Sequence, residues 1–111
     1  MKNQAIVDAL RTVSHTGISG SYAAVGGPQQ HAARIICFTN TTDADVIFSM
    51  DGSTDQLIVT AGGFKLFDIS TNHRPTGQDD YCFSVGIQWY VKEVASVSKG
   101  SVYIEIVYAQ E

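Results

Sequence analysis

Charged residues are scarce in this sequence. Asp, Glu, Lys and Arg make up 16% of the chain, against roughly 25% in an average soluble protein. The seven basic residues are scattered between Lys2 and Lys99, and the net charge is −4. Because no basic cluster exists to release counterions from a phosphate backbone, we expect no direct binding to nucleic acid. Much of the surface is then neutral and polar, as is common where a protein packs against other proteins.

Long hydrophobic runs are also missing. The sequence begins MKNQAIVDALRTV, in which Asp8 interrupts the apolar stretch, so the segment matches neither a secretory signal nor a membrane span. We therefore expect synthesis in the cytoplasm and no association with membranes. The two cysteines, Cys37 and Cys82, lie in apolar strand patterns, and in a reducing compartment we expect both to be free, buried thiols. A disulfide between them would require their strands to be neighbours.

No catalytic or metal-binding pattern stands out. Residues 51–55, DGSTD, place Asp51, Ser53 and Asp55 as at the start of a calcium loop, but the downstream bidentate glutamate is missing. A turn through an Asp-Gly pair accounts for the same letters. The histidines match no zinc-ligand spacing and fall in predicted loops: His15, His31 and His73. We therefore predict that the protein is not an enzyme and has no catalytic residues, metal site or cofactor.

Alternating apolar and polar residues dominate the sequence after residue 32. In DADVIFSMDG, residues 43–52, Val46, Phe48 and Met50 fall on one side of a strand, and an Asp-Gly pair ends the run. A strand with one wet face is typical of an antiparallel sheet. The predicted strands are 21–25, 33–39, 44–50, 56–60, 64–69, 81–85, 87–94 and 101–109. Strands about 8–12 residues apart predict an all-β antiparallel β-sandwich, a jelly roll of about eight strands.

The N-terminal segment departs from the strand pattern. Ile6, Leu10 and Val13 recur at helical spacing, so we predict an arm or a short helix over residues 3–13. A helix this short is marginal by itself in water. We therefore predict that these three side chains dock on an apolar surface, either the protein's own sheet or a partner.

Glycine and serine dominate the segment that follows. Residues 14–31, SHTGISGSYAAVGGPQQH, have the composition of a flexible linker that holds at most one strand. This composition divides the single domain unevenly. Residues 1–32 are predicted to form an arm and linker, and residues 33–111 the β-sandwich, to which the arm contributes the strand at 21–25.

Two adjacent aromatic residues are further candidates for binding. Trp89 and Tyr90 point to opposite faces if residues 87–94 form a strand. One of them is expected in the core, where strand aromatics are usually found. The other is then left to pack against neighbours, or to stack on a sugar or a partner.

The middle of the chain carries a more specific pattern. Residues 33–72, ARIICFTNTTDADVIFSMDGSTDQLIVTAGGFKLFDISTN, combine N-x-T-D-A-D-V, F-S-x-D-G and A-G-G-F-x-L-x-D, and WYVKE and GSVYIEIVYAQ follow later. This pattern resembles the capsid staple, or cement, proteins of epsilon-fifteen-like tailed bacteriophages. The resemblance covers about residues 33–109.

The resemblance implies a jelly-roll decoration protein on the outside of a finished capsid. Such a protein bridges neighbouring copies of the major capsid protein and so stabilises the shell, with other copies of itself as further partners. The resemblance implies no catalytic residues. Two other functions stay open at this point: a component of the head–tail junction or tail, and a jelly-roll module that binds carbohydrate.

Overall fold

The computed structural model describes residues 4–69 and 83–110, and within these ranges the regular secondary structure is almost entirely β-strand. One 3-10 turn spans His15–Gly17. The described strands are β1 (Gln4–Val7), β2 (Arg11–Ser14), β3 (Ala23–Ala24), β4 (Ala33–Asn40), β5 (Val46–Ser49), β6 (Leu57–Val59), β7 (Phe64–Asp68), β8 (Tyr90–Glu93) and β9 (Ser101–Gln110). The predicted strand at 81–85 lies partly outside the described residues.

The strands form two antiparallel sheets that pack face to face. One sheet has five strands in the order β1-β9-β4-β7, with β2 also paired to β9, and the other has four strands in the order β3-β8-β5-β6. If β1 and β2 are counted as one interrupted strand, eight described strands lie four to a sheet, and consecutive strands alternate between the sheets except for the β5–β6 hairpin. This arrangement is a jelly roll, so the predicted all-β antiparallel sandwich is confirmed.

An arm or a short helix was predicted over residues 3–13, and the helix was wrong, since the described residues of this segment form two strands. β1 and β2 both pair with β9, placing Ile6 opposite Tyr108 and Val13 opposite Val102. β9 is ten residues long and offers a row of backbone donors and acceptors along its edge. Pairing with that edge satisfies the backbone of the N-terminal segment, which a marginal isolated helix cannot do as well. Pairing with a distant strand therefore decided the conformation of this segment, and the helical spacing of three apolar residues did not.

The segment expected to be a linker also belongs to the sandwich. β3 pairs with β8, so the strand predicted at 21–25 is formed in part. Val25, just beyond β3, is fully buried, and Gln29 is 1% exposed. Strands from before residue 33 therefore complete both sheets.

Aromatic rings fill the space between the sheets. The ring centroid of Phe38 lies 5.0 Å from that of Phe48 and 4.9 Å from that of Trp89. Phe67, on β7, meets Phe38 edge-on at 5.9 Å. Because Phe38 is on β4 and Phe48 on β5, this cluster joins the two sheets, and buried aromatics of this size dominate core stability.

Two buried amide side chains hold loops against this core. The Gln29 Oε1 accepts a hydrogen bond from the indole nitrogen of Trp89 at 2.8 Å, and its Nε2 donates to the carbonyls of Phe83 and Ser84, each at 3.1 Å. Asn40 acts similarly, and its Nδ2 donates to the carbonyl of Val59 at 3.0 Å. Every buried polar atom of these amides has a partner, which is what makes their burial tolerable.

Candidate partner surface

The outer face of the five-stranded sheet is unusually apolar. On β4, Ile36 and Phe38 are fully buried, so the alternate residues Ile35, Cys37 and Thr39 lie on the outer face. These three are only half-buried. The solvent face of an antiparallel sheet is normally polar, so this composition suits a face that packs against another surface.

The neighbouring strands extend this outer face. Phe64 lies opposite Thr39 and Leu66 opposite Cys37 in the β4–β7 register. Phe64 is 67% exposed and Leu66 55% exposed. On the other side of β4, the outer-face residues of β9 are Tyr103, Glu105 and Val107. Leu66, Cys37 and Glu105 thus form one row across the sheet, with Glu105 exposed near the centre. The two flanking rows combine apolar and polar side chains: Phe64, Thr39, Tyr103 and Thr12 in one, and Asp68, Ile35, Val107 and Val7 in the other.

The N-terminal segment of the chain, which forms β1 and β2, carries the residues predicted to dock. Val7, opposite Val107 on the outer face, is 70% exposed, and Leu10, in the connection between β1 and β2, is 55% exposed. Ile6 and Val13 instead lie on the inner side, where Val13 packs against the core. The structure therefore does not bring Ile6, Leu10 and Val13 onto one face, and their role at an interface stays a prediction.

The outer face of the four-stranded sheet is different in character. Lys92 Nζ lies 2.8 Å from the Asp55 carboxylate and 4.9 Å from the centre of the Tyr22 ring, and the Tyr22 hydroxyl donates to Asp55 at 2.5 Å. Burial raises the pKa of Tyr22, as do the hydrogen bond to Asp55 and its charge, to about 12. The hydrogen bond from Lys92, followed by that from Tyr22, lowers the pKa of Asp55. These polar contacts cover part of this face, while Ile58, paired with Ile47 on the same face, is 43% exposed.

The residues considered for calcium form a turn. Asp51 Oδ1 accepts hydrogen bonds from the Ser49 hydroxyl at 2.7 Å and from the backbone N–H groups of Ser53 and Thr54 at 2.9 Å. These hydrogen bonds hold the pKa of Asp51 well below its usual range. In the described part of the chain, no three His, Cys, Asp or Glu side chains lie together where they would hold a metal ion.

The aromatic pair is divided between the two sides of the four-stranded sheet. Trp89 is 3% exposed and belongs to the core, which confirms the prediction that one of the pair is buried there. Tyr90 is half-buried and lies against Gly52, at which a Cβ would come 3.2 Å from its ring. The turn through Gly52 therefore covers part of the surface that a sugar would need.

The histidines and cysteines contribute little to a common site. His31 stacks on Tyr108 with ring centroids 3.8 Å apart, and His15 Nδ1 lies 3.3 Å from the carbonyl of Gly100. Cys37 is a free thiol on the outer face, half-buried rather than buried. His73 and Cys82 lie outside the described residues.

Sequence reasoning predicted β7 but missed the exposure of its apolar side chains. The signal was present in FKLFD, residues 64–68, where apolar letters occupy both faces of a strand. A two-sided apolar strand is ordinarily placed at the centre of a sheet. Among the described strands, β7 is instead the last strand of its sheet. Only one of its faces packs against the other sheet, and Phe64 and Leu66 lie exposed on the opposite face.

Comparisons with known proteins address the fold alone. No protein-family profile matches the sequence, and no curated protein is found as a relative. Within residues 4–69 and 83–110, no helix has the length and apolarity that a bilayer crossing requires.

Several solved structures share the fold at low sequence identity. A protein of Bacillus endospore appendages, which are disulfide-linked pili, superposes with a TM-score of 0.52 at 11% identity, covering 100% of this chain and 93% of that one. A capsid chain of cyanophage Pam1 gives a TM-score of 0.50 at 13% identity, with 99% and 87% covered. A chain from the acid-stable capsid of Helicobacter pylori bacteriophage KHP30 gives 0.50 at 9% identity, with 97% and 93% covered. The jelly roll of this chain is thus similar to subunits that build pili and phage capsids.

Proposed function

We propose that this protein is a structural, non-catalytic virion protein that decorates the outer surface of a phage capsid. In this role it staples neighbouring major capsid subunits together and so stabilises the shell. The apolar outer face of the five-stranded sheet carries the proposal, because Phe64 and Leu66 are more than half exposed there. A lone soluble domain gains nothing from such exposure, whereas a protein that packs against a shell does. The fold shared with phage capsid chains supports the same conclusion.

The motif behind the resemblance falls on this face. A-G-G-F-x-L-x-D specifies Phe64, Leu66 and Asp68 and leaves the alternate positions open. In the β4–β7 register, these three residues are the outer-face residues of β7. The positions that the motif specifies are therefore the ones available to a partner.

The size of the domain is sufficient for bridging. A folded monomer of this mass exposes roughly 6,000 Å², and a standard interface takes about 800 Å² from each partner. One domain has room for two or three such contacts. Modest contacts of this kind combine through avidity around a closed shell.

Ile6, Leu10 and Val13 keep a place in this proposal as a second contact region. In this N-terminal segment, Leu10 and the nearby Val7 are exposed. These two side chains would therefore reach a neighbouring subunit or another copy of the protein. Ile6 and Val13 lie on the inner side of the sheet and would hold this segment in place.

The proposal is tested by reconstitution on capsids that lack this protein. Purified protein is added to such shells, and bound copies are counted and located by cryo-electron microscopy. We expect hundreds of copies on the outer surface and shells that withstand more heat or denaturant. Six or twelve copies at one vertex would instead indicate a head–tail or tail component, and no binding would refute the proposal.

A matched pair of variants tests the surface. Phe64→Ser with Leu66→Ser removes the apolar contacts of the outer face, while Ile58→Ser changes an apolar residue that is 43% exposed on the other sheet. We expect the double variant to lose shell binding and Ile58→Ser to retain it, with both proteins melting as folded domains. Equal binding by the two would assign the contact to another surface.

A further inference from the structure

Glu105 lies near the middle of the outer face of the five-stranded sheet. Its neighbours on β9, Ile104 and Ile106, are buried in the core, so the side chain of Glu105 points outward. Cys37 of β4 is its partner in the ladder, and Glu105 itself is exposed. A carboxylate is ordinary on a sheet face that remains in water. It becomes a constraint if another protein covers that face.

Exposed apolar side chains lie on both sides of Glu105. On one side, Leu66 of β7 is two strands away, about 10 Å at the usual strand spacing. On the other side, β1 ends at Val7 and β2 begins at Arg11. The connection between them, which carries Leu10, therefore lies beside Glu105. A partner surface that contacts both Leu66 and the N-terminal segment must also cover Glu105.

Within residues 4–69 and 83–110, nothing neutralises Glu105, because its side chain makes no hydrogen bond or ion pair there. Asp68, the other acidic residue of the outer face, does have an interaction within the chain, as does Arg34 in the bulge of β4. The remaining register positions of the outer face carry uncharged residues: Ala5, Val7, Thr12, Ser14, Ile35, Cys37, Thr39, Phe64, Leu66, Ser101, Tyr103 and Val107. A cation for Glu105 must therefore come from outside this face.

We propose that an arginine or lysine of the shell protein pairs with Glu105 at the centre of the contact, with apolar residues around that cation. This inference rests on the proposed function and specifies the chemistry of the partner surface. Moving a carboxylate out of water without a compensating charge is strongly unfavourable. A cation within hydrogen-bond distance offsets this cost and also fixes the orientation in which the two surfaces meet.

A second copy of this chain does not supply the cation through the same face. If two copies pack with their outer faces together, every residue opposite Glu105 belongs to the outer face of the other copy. The described positions of that face include no lysine or arginine. Glu105 would then meet an uncharged side chain or a like charge in every orientation, which is unfavourable. The charge of the face thus favours a different, basic partner.

Two variants that each remove one negative charge test the inference on shells that lack this protein. Glu105→Gln keeps the size of the side chain, and Glu93→Gln makes the same change on β8 of the other sheet. An amide oxygen at position 93 can still accept the hydrogen bond from the Val97 N–H. We expect Glu105→Gln to bind shells about tenfold or more weakly than the unmodified protein and Glu93→Gln to bind normally. Since Glu105 has no partner in the free protein, Glu105→Gln should melt at nearly the unmodified temperature.

The sign of the change separates the inference from its alternatives. A carboxylate covered without a cation weakens the complex, so its neutralisation would strengthen binding. A carboxylate that stays in water would give unchanged binding. Either result overturns the inference and leaves the proposed function intact, whereas failure of the unmodified protein to bind shells overturns both. An equal loss in Glu93→Gln would reflect net charge alone, and a large loss of melting temperature in Glu105→Gln would show pairing within the chain. Both of these results also overturn the inference.

Self-association is measured on the same proteins without shells. We expect the sedimentation of the free protein to give the same oligomeric state for the unmodified protein and for Glu105→Gln. An association of the unmodified protein that Glu105→Gln abolishes would assign the cation to a second copy, and the inference would be wrong.

A charge reversal identifies the partner residue. In a cryo-electron microscopy reconstruction of decorated shells, we expect an arginine or lysine nitrogen within about 4 Å of the Glu105 carboxylate. Glu105→Lys should abolish binding to these shells, and binding should return on shells in which that cation is replaced by glutamate. A nearest shell side chain without positive charge overturns the inference, as does binding that fails to return on assembled variant shells. The reconstruction decides if the variant shells do not assemble.

Discussion

Gly100→Ala is expected to destabilise the fold severely. Gly100 precedes β9, the strand that pairs with β1, β2 and β4, and it has a φ of +87°. A Cβ at this position would lie 2.2 Å from the carbonyl oxygen of Thr41 and 2.8 Å from the Cα of Thr42. Both obstacles are backbone atoms, so no side-chain rotation relieves the clash.

Gly62→Ala provides the control from which the magnitude follows. Gly62 has a φ of +74°, and a Cβ there would meet nothing within 4 Å. It therefore reports the conformational cost of a left-handed alanine alone, about 1–2 kcal/mol. Gly100→Ala adds the displacement of a packed backbone, about 1–3 kcal/mol more by analogy with overpacked cores. We expect a total loss of about 2–5 kcal/mol in the free energy of unfolding.

Urea unfolding followed by tryptophan fluorescence measures both variants. Trp89 lies in the core, so its emission reports global unfolding. Gly62→Ala should lower the midpoint moderately and Gly100→Ala far more, with similar m-values if both remain two-state. Equal losses for the two variants would refute the steric argument, because they would show that the Gly100 turn moves freely to accept a side chain.

Three further changes have defined outcomes. Gln29→Ala leaves the buried Trp89 indole N–H without its acceptor and removes one hydrogen bond from the carbonyls of Phe83 and Ser84, which keep those from the Ala33 and Ile87 N–H groups. It should cost about 2–4 kcal/mol. Gln30→Ala, at an exposed site, should change the unfolding midpoint little, and equal effects in urea titrations would contradict this. Leu10→Asp, at a side chain that is 55% exposed, should leave the melting temperature of the isolated protein nearly unchanged and weaken shell binding; a large drop in melting temperature would show that Leu10 packs internally. The pKa of Tyr22 is raised to about 12, so its contribution to stability is complete below the unfolded value near 10 and is lost as pH rises to 12. Near pH 11, the phenolate absorbance of the native protein should therefore be lower than the summed absorbance of Tyr22→Phe and an equal amount of free tyrosine. Replacing Asp55 by Asn should bring the titration of Tyr22 closer to the ordinary range.

Local patterns predicted the regular parts of the fold. Alternation over residues 43–52 marked β5, and the run from Ser101 marked β9, because a strand with one buried face needs apolar side chains at every second position. The Asp-Gly pair after β5 marked its turn for an equally local reason: glycine reaches positive φ without strain, and Gly52 has a φ of +77°. These features depend only on residues that are neighbours in the sequence, so they could be predicted from the sequence alone.

The N-terminal segment shows where local patterns fail. Ile6 and Val13 fit a helix by spacing, yet they form strands because β9, about ninety residues further along the chain, offers an edge. Similarly, Gln29 gives no sign in the sequence that it will be buried, since the indole and carbonyl groups that satisfy it come from residues 83–89. Pairing and burial at these positions depend on distant parts of the chain.

The candidate surface depends both on local sequence patterns and on the tertiary structure. The sequence by itself determined that residues 64–68 form a strand with apolar side chains on both faces and that the protein is an antiparallel sandwich. Only the tertiary structure decided that this strand is the last of its sheet among the described strands and that Phe64 and Leu66 face outward. The physical reason is that strand propensity is a property of a short segment, whereas strand order and register arise from the packing of two whole sheets.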